Sequence, residues 1–185
     1  MTRACIADQL EVTKDELLPI SSKISVFHSA VATFLAPSDP CGLHGMRRER
    51  IRSTPSWHGR EPRYDCAFLV EDETKEGMMG LAVVRVKLLF SLVYEDVYYP
   101  CALVDWFKTV GFDPVSRLWV VRLDTTCGRR YKSVVHLDTF LRAAHLMPVY
   151  GKKRMPLDFH YSYSLDSFQA FYVNKYIDHH ANEIV

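Results

Sequence analysis

LAVVRVKLLFSLVYEDVYYPCALVDWF, residues 81 to 107, decides the fold class of this chain. Ala82, Val84, Val86, Leu88 and Phe90 alternate with Arg85 and Lys87, the two-residue period of a strand with one face on a core. The alternation predicts Val84, Val86, Leu88 and Phe90 buried, with Arg85 and Lys87 facing water. The polar pair Glu95-Asp96 separates this run from a second one, Tyr98 to Phe107, so the two are expected to pair. Pro100 cannot donate to a ladder and places an edge or a bulge in the second strand.

Working outward, Tyr64, Cys66, Phe68 and Val70 alternate over a short strand that stops at the charged EDETKEG. Downstream, a turn at Gly111, Asp113 and Pro114 leads into RLWVVRL (117 to 123), and Cys127 to Arg130 turns the chain into KSVVHL. Short strands at such spacing form a meander that closes or packs on itself. The expected fold class is therefore mainly β (α+β), a small antiparallel β-barrel or sandwich of about five to seven short strands with one or two short helices. One helix is assigned to TFLRAAHL, with Asp138 as N-cap, Phe140, Leu141 and Ala144 on one face, and Pro148 ending it. FQAFYVNKYI (168 to 177) is read as a strand. Residues 24 to 34 suit strand or helix, and His28 among them reads as a core histidine. Residues 1–26 form a poorly defined N-terminal segment, and 27–185 a single β-rich domain.

The composition narrows the function classes. The 185 residues are 48% apolar and 24% charged, ordinary for one globular domain. A net charge of +1 excludes a polybasic nucleic-acid coat and an acidic tail, so any electrostatic partner site must be local. Five cysteines (Cys5, Cys41, Cys66, Cys101, Cys127) stand far apart without a CxxC pair, which points to reduced thiols, no disulfide and no zinc. No apolar run reaches a membrane span and no signal peptide is read at the N-terminus, so an intracellular protein, nuclear or cytoplasmic, with no membrane partner is expected. Its oligomeric state is not written in the sequence.

Charge is concentrated in PSDPCGLHGMRRERIRSTPSW, residues 37 to 57. Its first half is rich in turn formers and its second in arginine. Between Cys41 and Arg63 six arginines face two glutamates, a local +4 that leaves the remainder at −3. Guanidinium groups are rigid bidentate donors to phosphate, so Arg47, Arg48, Arg50, Arg52 and Arg60 are candidate nucleic-acid contacts on an Arg-rich loop. The structural alternative pairs these arginines with Glu49 or with the acidic run Glu71, Asp72, Glu73. Trp57, Trp106, Tyr98 and Tyr99 are candidate aromatic contacts for bases or peptide side chains. His179, His180 and Glu183, beside Asp178, are the densest ligand-type cluster, His179 and Glu183 being spaced to share a helix face. No P-loop, G-x-S-x-G elbow or G-x-G-x-x-G turn is present, no catalytic residue is assigned and no cofactor is expected.

FLAPSDPCGLHGMRRERIRSTPSWHGREPRYDCAFL, YPCALVDWF, VVHLDTFLRAAHLMPVYG and FYVNKYIDHHANEI, in this order, resemble the C-terminal region of fungal transposase-like proteins. These are the Kyakuja-Dileera-Zisupton (KDZ) and Plavaka-type elements, whose tails carry a GMRRE turn, an ALVxWF strand, an HLxPVYG exit and a YVN…VD ending. The resemblance spans most of residues 27 to 185. Such transposases keep their carboxylate metal site in an upstream domain, so the resemblance implies a non-catalytic accessory domain that binds nucleic acid or a protein partner. A looser similarity to bromo-adjacent-homology (BAH) barrels of chromatin proteins gives the alternative, a protein-interaction module using the aromatics. A small metal-dependent hydrolase using the histidine cluster is the second alternative.

Overall fold

The computed structural model describes residues 23–37, 44–126, 128–152 and 154–185. Cys5, Cys41, Cys127 and Lys153, with the expectations made for residues 1–22 and for the turn-rich half of the arginine stretch at 38–43, lie outside them. The fold is mainly β. Its strands are β1 (Ser25–Phe27), β2 (Ser29–Leu35), β3 (Met46–Thr54), β4 (Arg63–Tyr64), β5 (Cys66–Val70), β6 (Leu81–Tyr94), β7 (Val97–Asp113) and β8 (Leu118–Leu123). They continue as β9 (Thr125–Thr126), β10 (Arg129–Arg130), β11 (Lys132–His136), β12 (Phe140–Ala144), β13 (Leu146–Pro148) and β14 (Phe171–Val173). Two short α-helices follow the loop after β13 and end the chain, α1 (Ser164–Ser167) and α2 (His179–Ile184).

The β6–β7 hairpin is the spine. Tyr94 pairs with Val97 across Glu95-Asp96, both of which have positive φ (49° and 63°), the geometry of a type I′ turn that matches strand twist. Seven strands run in the order β12-β5-β6-β7-β8-β14-β13. Because β12 and β13 are consecutive pieces of one stretch interrupted only by His145, the two ends of this order meet and the sheet forms a nearly closed antiparallel barrel. Cys66, Phe68, Val83, Phe107, Val121, Phe171 and Val173 fill one side of it. Past the barrel, the distal halves of β6 and β7 are flanked by β1 and β11. Pro100 sits one residue beyond the β11 pairing that starts at Cys101, on an edge as its missing N–H requires.

A three-stranded ribbon, β2-β3-β4, lies across the outer side of β5–β7. Ile51 from β3 joins Ala67, Leu69, Val84, Val86, Leu89 and Val104 in a second core, with Ala30 and Ala32 of β2 packed on it. Cys66 and Cys101 are both buried, and burial pushes the Cys66 thiol up to about 12, so it is held as an inert thiol.

Four expectations are corrected. The regular alternation along β6 breaks at a register shift between Val86 and Leu88. One extra residue turns the following side chains over. Val84, Val86 and Leu89 share one core, while Leu88 and Phe90 pack into another with Leu92, Tyr99 and Cys101. Arg85 is buried rather than solvent-facing, 6% exposed, because it points to the barrel side and finds the Asp166 carboxylate there. TFLRAAHL is not a helix: a 3-10 turn at Leu137–Thr139 leads into it, and Phe140–Ala144 form β12, paired with β5. Helix propensity there is outweighed by the ladder offered by an otherwise open β5 edge. His28 is exposed at the break between β1 and β2 and is no core histidine.

Candidate nucleic-acid interface

The arginine stretch is a strand, not a loop. Met46–Thr54 pairs with β2 in unbroken register from Ser29↔Arg52 to Leu35↔Met46. Strand geometry then sorts the charges by parity. Arg47, Glu49, Ile51 and Ser53 turn toward the barrel, while Arg48, Arg50 and Arg52 lie on the outer face opposite Thr33, Val31 and Ser29. Among the described residues Arg48 and Arg50 are exposed and make no ion pair. Arg52 is half-buried, and its Nε has no hydrogen-bond partner.

The outer face continues into a tight turn. Arg60 donates its backbone N–H to the Trp57 carbonyl at 3.0 Å, and His58 and Gly59 at the corner have φ of 53° and 73°. A left-handed pair of this kind favours glycine, which Gly59 supplies. The turn fixes Trp57 beside the arginines: the Arg52 guanidinium carbon lies 4.6 Å from the ring centroid and that of Arg63 5.2 Å. Asp65 locks the corner, accepting Arg52 N–H at 2.9 Å and Arg63 Nε at 2.8 Å. Arg60 is exposed at the turn. Trp57, Arg63, Tyr64, Arg85 and Tyr161 line a cleft of about 370 Å³, and Lys87 Nζ sits 3.8 Å from the Tyr64 ring centroid.

The inward charges do different work. Arg142, 1% exposed, makes a bidentate pair with Asp178 (2.9 and 2.6 Å) and reaches Glu49 at 3.3 Å, while Glu49 also accepts the Ala143 N–H at 3.0 Å. Arg47 joins at 3.5 Å from Asp178. Arg47 and Glu49 are therefore bound into a knot joining ribbon, barrel and C-terminal helix, and Arg47 leaves the set of outward contacts. Of the expected acidic partners, Asp72 pairs with Lys75 at 2.8 Å.

The histidine cluster does not converge. His180 is buried, its Nδ1 3.2 Å from an Arg142 nitrogen and its ring stacked on Phe34 at 4.8 Å, whereas His179 and Glu183 are exposed. Facing a guanidinium donor, Nδ1 must accept, so the ring is neutral; burial first, and then the Arg142 charge, hold its pKa below the ordinary imidazole value. Asp178, hydrogen-bonded by Arg142, is held well below the usual carboxylate range. Among the described residues no group of three or more His, Cys, Asp or Glu side chains is placed to hold a metal ion.

These shifts predict a pH response. The unfolded chain's histidine takes a proton near pH ~6.5 that folded His180 refuses, so stability falls as pH drops from 7 toward 5, with a slope of at most about 1.36 kcal/mol per unit. Asp178 stabilises the fold above the unfolded carboxylate value of about 4, and that stability is lost as pH falls further toward its depressed value. In urea titrations His180→Gln is expected to flatten the pH 5–7 limb and leave the acid limb. An unchanged pH 5–7 limb would contradict the neutral, buried ring.

The aromatic candidates are separated. Trp106 donates its Nε1–H to Ser133 Oγ at 2.7 Å and packs on the ribbon-side core, and Tyr99 is 7% exposed in the distal core. Tyr98 is exposed near the far turn, and Trp57 alone of the four lines the basic cleft. Compared with family models, curated proteins and solved structures, the chain matches none. No helix among the described residues is long and apolar enough to cross a membrane. Arg63, Tyr64, Arg85 and Tyr161 were not picked out by sequence. The signal available for the first two was their position directly before the Cys66 strand; Arg85 looked like a surface residue, and Tyr161 is about 100 residues away in the chain.

Proposed function

We propose that the chain is a non-catalytic, transposase-derived accessory module that binds single-stranded nucleic acid across the outer face of β2–β3 and the adjoining Trp57 cleft. The observation that carries this reading is the placement of Arg48, Arg50 and Arg52 at alternate positions on one strand face that runs into Trp57. Alternate strand residues stand roughly 6.6 Å apart, a regular row of cations for a sugar-phosphate backbone. A basic track beside stackable rings is the usual arrangement for single strands, and phosphate contacts position a chain without reading its bases. Transposase descent rests on the ordered motifs of the sequence. The protein-interaction alternative needs Trp57, Trp106, Tyr98 and Tyr99 in one cage, and these side chains occupy separate environments.

The test compares wild type with Arg48→Ala/Arg50→Ala for binding of a fluorescent oligothymidylate, with Arg129→Ala as the control. Loss of two charge-assisted contacts is expected to weaken binding by about 2 kcal/mol, roughly thirtyfold. Both side chains are outward and make no ion pair among the described residues, so the thermal midpoint should not move. Equal affinities of wild type and double variant, or no binding at low ionic strength, would overturn the reading.

A further inference from the structure

Behind Trp57 the cleft reaches Arg85, one member of a charged row that crosses the sheet. Cys66, Arg85, Asp105 and Lys132 are cross-strand partners on β5, β6, β7 and β11, so their side chains share one face. Asp105 is wholly buried and pairs with Lys132 Nζ at 3.1 Å and an Arg130 nitrogen at 3.5 Å. Asp166, carried by α1, places one oxygen, Oδ1, between Arg85 (2.9 Å) and Arg130 (2.6 Å). Lys87 approaches from Tyr64. Arg85, Arg130 and Lys132 thus face two carboxylates, with Lys87 on the Tyr64 ring beside them, and Arg85, its side chain 7% exposed, keeps a buried Nε with no hydrogen-bond partner.

We propose that this inner end is a site for a terminal phosphate of a nucleic-acid chain, a site in which the Asp166 carboxylate occupies the phosphate position until the ligand displaces it. The inference deepens the function proposed above and rests on it for the identity of the chain that enters. Two guanidiniums already converge on a single carboxylate oxygen, the arrangement that also suits a phosphate oxygen. With Asp166 displaced, Arg85, Arg130 and Lys132 face Asp105 alone, and this excess of two positive charges matches a phosphomonoester, which carries about −1.5 to −2 near neutral pH, better than the single charge of an internal diester. Tyr64 and the exposed ring of Tyr161 line the same cleft as Arg85, where a terminal base can stack. Asp166 is a competitor on a four-residue helix, so displacing it moves a small segment rather than the sheet.

The experiment measures binding of three oligonucleotides of one sequence, bearing a 5′-phosphate, a 3′-phosphate or hydroxyls at both ends, together with free nucleoside monophosphates. One phosphorylated oligonucleotide is expected to bind at least about tenfold more tightly than the hydroxyl form. Asp166→Asn, which removes the competing charge while keeping an acceptor for Arg85, should enlarge that ratio; Tyr161→Ala, at an exposed position, should reduce it. Arg48→Ala/Arg50→Ala should weaken all three oligonucleotides by one factor and leave the ratio unchanged. If the hydroxyl form binds and neither phosphate adds affinity in wild type or Asp166→Asn, the terminal-phosphate site is wrong and the ribbon reading stands. If only monophosphates bind, the site stands and the ribbon reading falls. If nothing binds, both fall.

Discussion

Replacing Arg142 with alanine is expected to destabilise the protein by about 3–5 kcal/mol, a large part of the total stability of a domain this size. Arg142 is 1% exposed, and its guanidinium is the common partner of Glu49 on β3, Asp178 before α2 and the His180 ring. Its loss leaves two carboxylates in a half-buried space with Arg47 as their remaining cation, and removes the link between ribbon, β12 and the C-terminal helix. Chemical denaturation followed by tryptophan fluorescence measures the loss. Because Arg142 lies on the opposite side of β3 from Arg48 and Arg50, the damage belongs to stability and not to the outer face. A change below about 1 kcal/mol, the usual worth of an exposed pair, would show that the knot is not structural.

Val86→Asp is expected to abolish folding. Val86 is fully buried between the ribbon and β6–β7, among Ile51, Val84, Leu89 and Val104. Among the described residues no cation lies in that core to receive a carboxylate, and an unpaired buried charge costs several kcal/mol, comparable to the stability of the whole domain. Circular dichroism and the thermal midpoint report the outcome. A variant that kept the wild-type midpoint would contradict the packing of the ribbon onto this face.

The behaviour of Val86 and Arg85 indicates what could be read from sequence. The two-residue period from Ala82 to Val86 is local, and it marks the central hairpin and the β class, whereas the choice between barrel and sandwich rests on how distant strands pair. The shift between Val86 and Leu88 is a one-residue insertion relative to a partner strand, which no single-strand pattern reveals. Arg85 looked like a surface residue because Asp166, its partner, lies 81 positions away. In the arginine stretch, charges at both inward and outward positions hid the alternation that marks a strand, since the inward Arg47 and Glu49 are neutralised by residues from β12 and the C-terminus. TFLRAAHL has good helix formers and a plausible cap, yet it lies where the barrel needs a strand to close. Of the candidate site, Arg48, Arg50, Arg52 and Trp57 were visible as residue types in one stretch. The remaining cleft walls come together only through pairing of distant segments.

The central claim, that Arg48, Arg50 and Arg52 hold a single-stranded phosphate backbone, is tested most directly by the salt dependence of oligothymidylate binding. Three phosphate contacts on a single strand release counterions so that log K falls against log salt with a slope of about −2, and removing Arg48 and Arg50 together should reduce it to about −0.7. A slope that stays near −2 in the double variant, or wild-type binding indifferent to salt, would contradict the account.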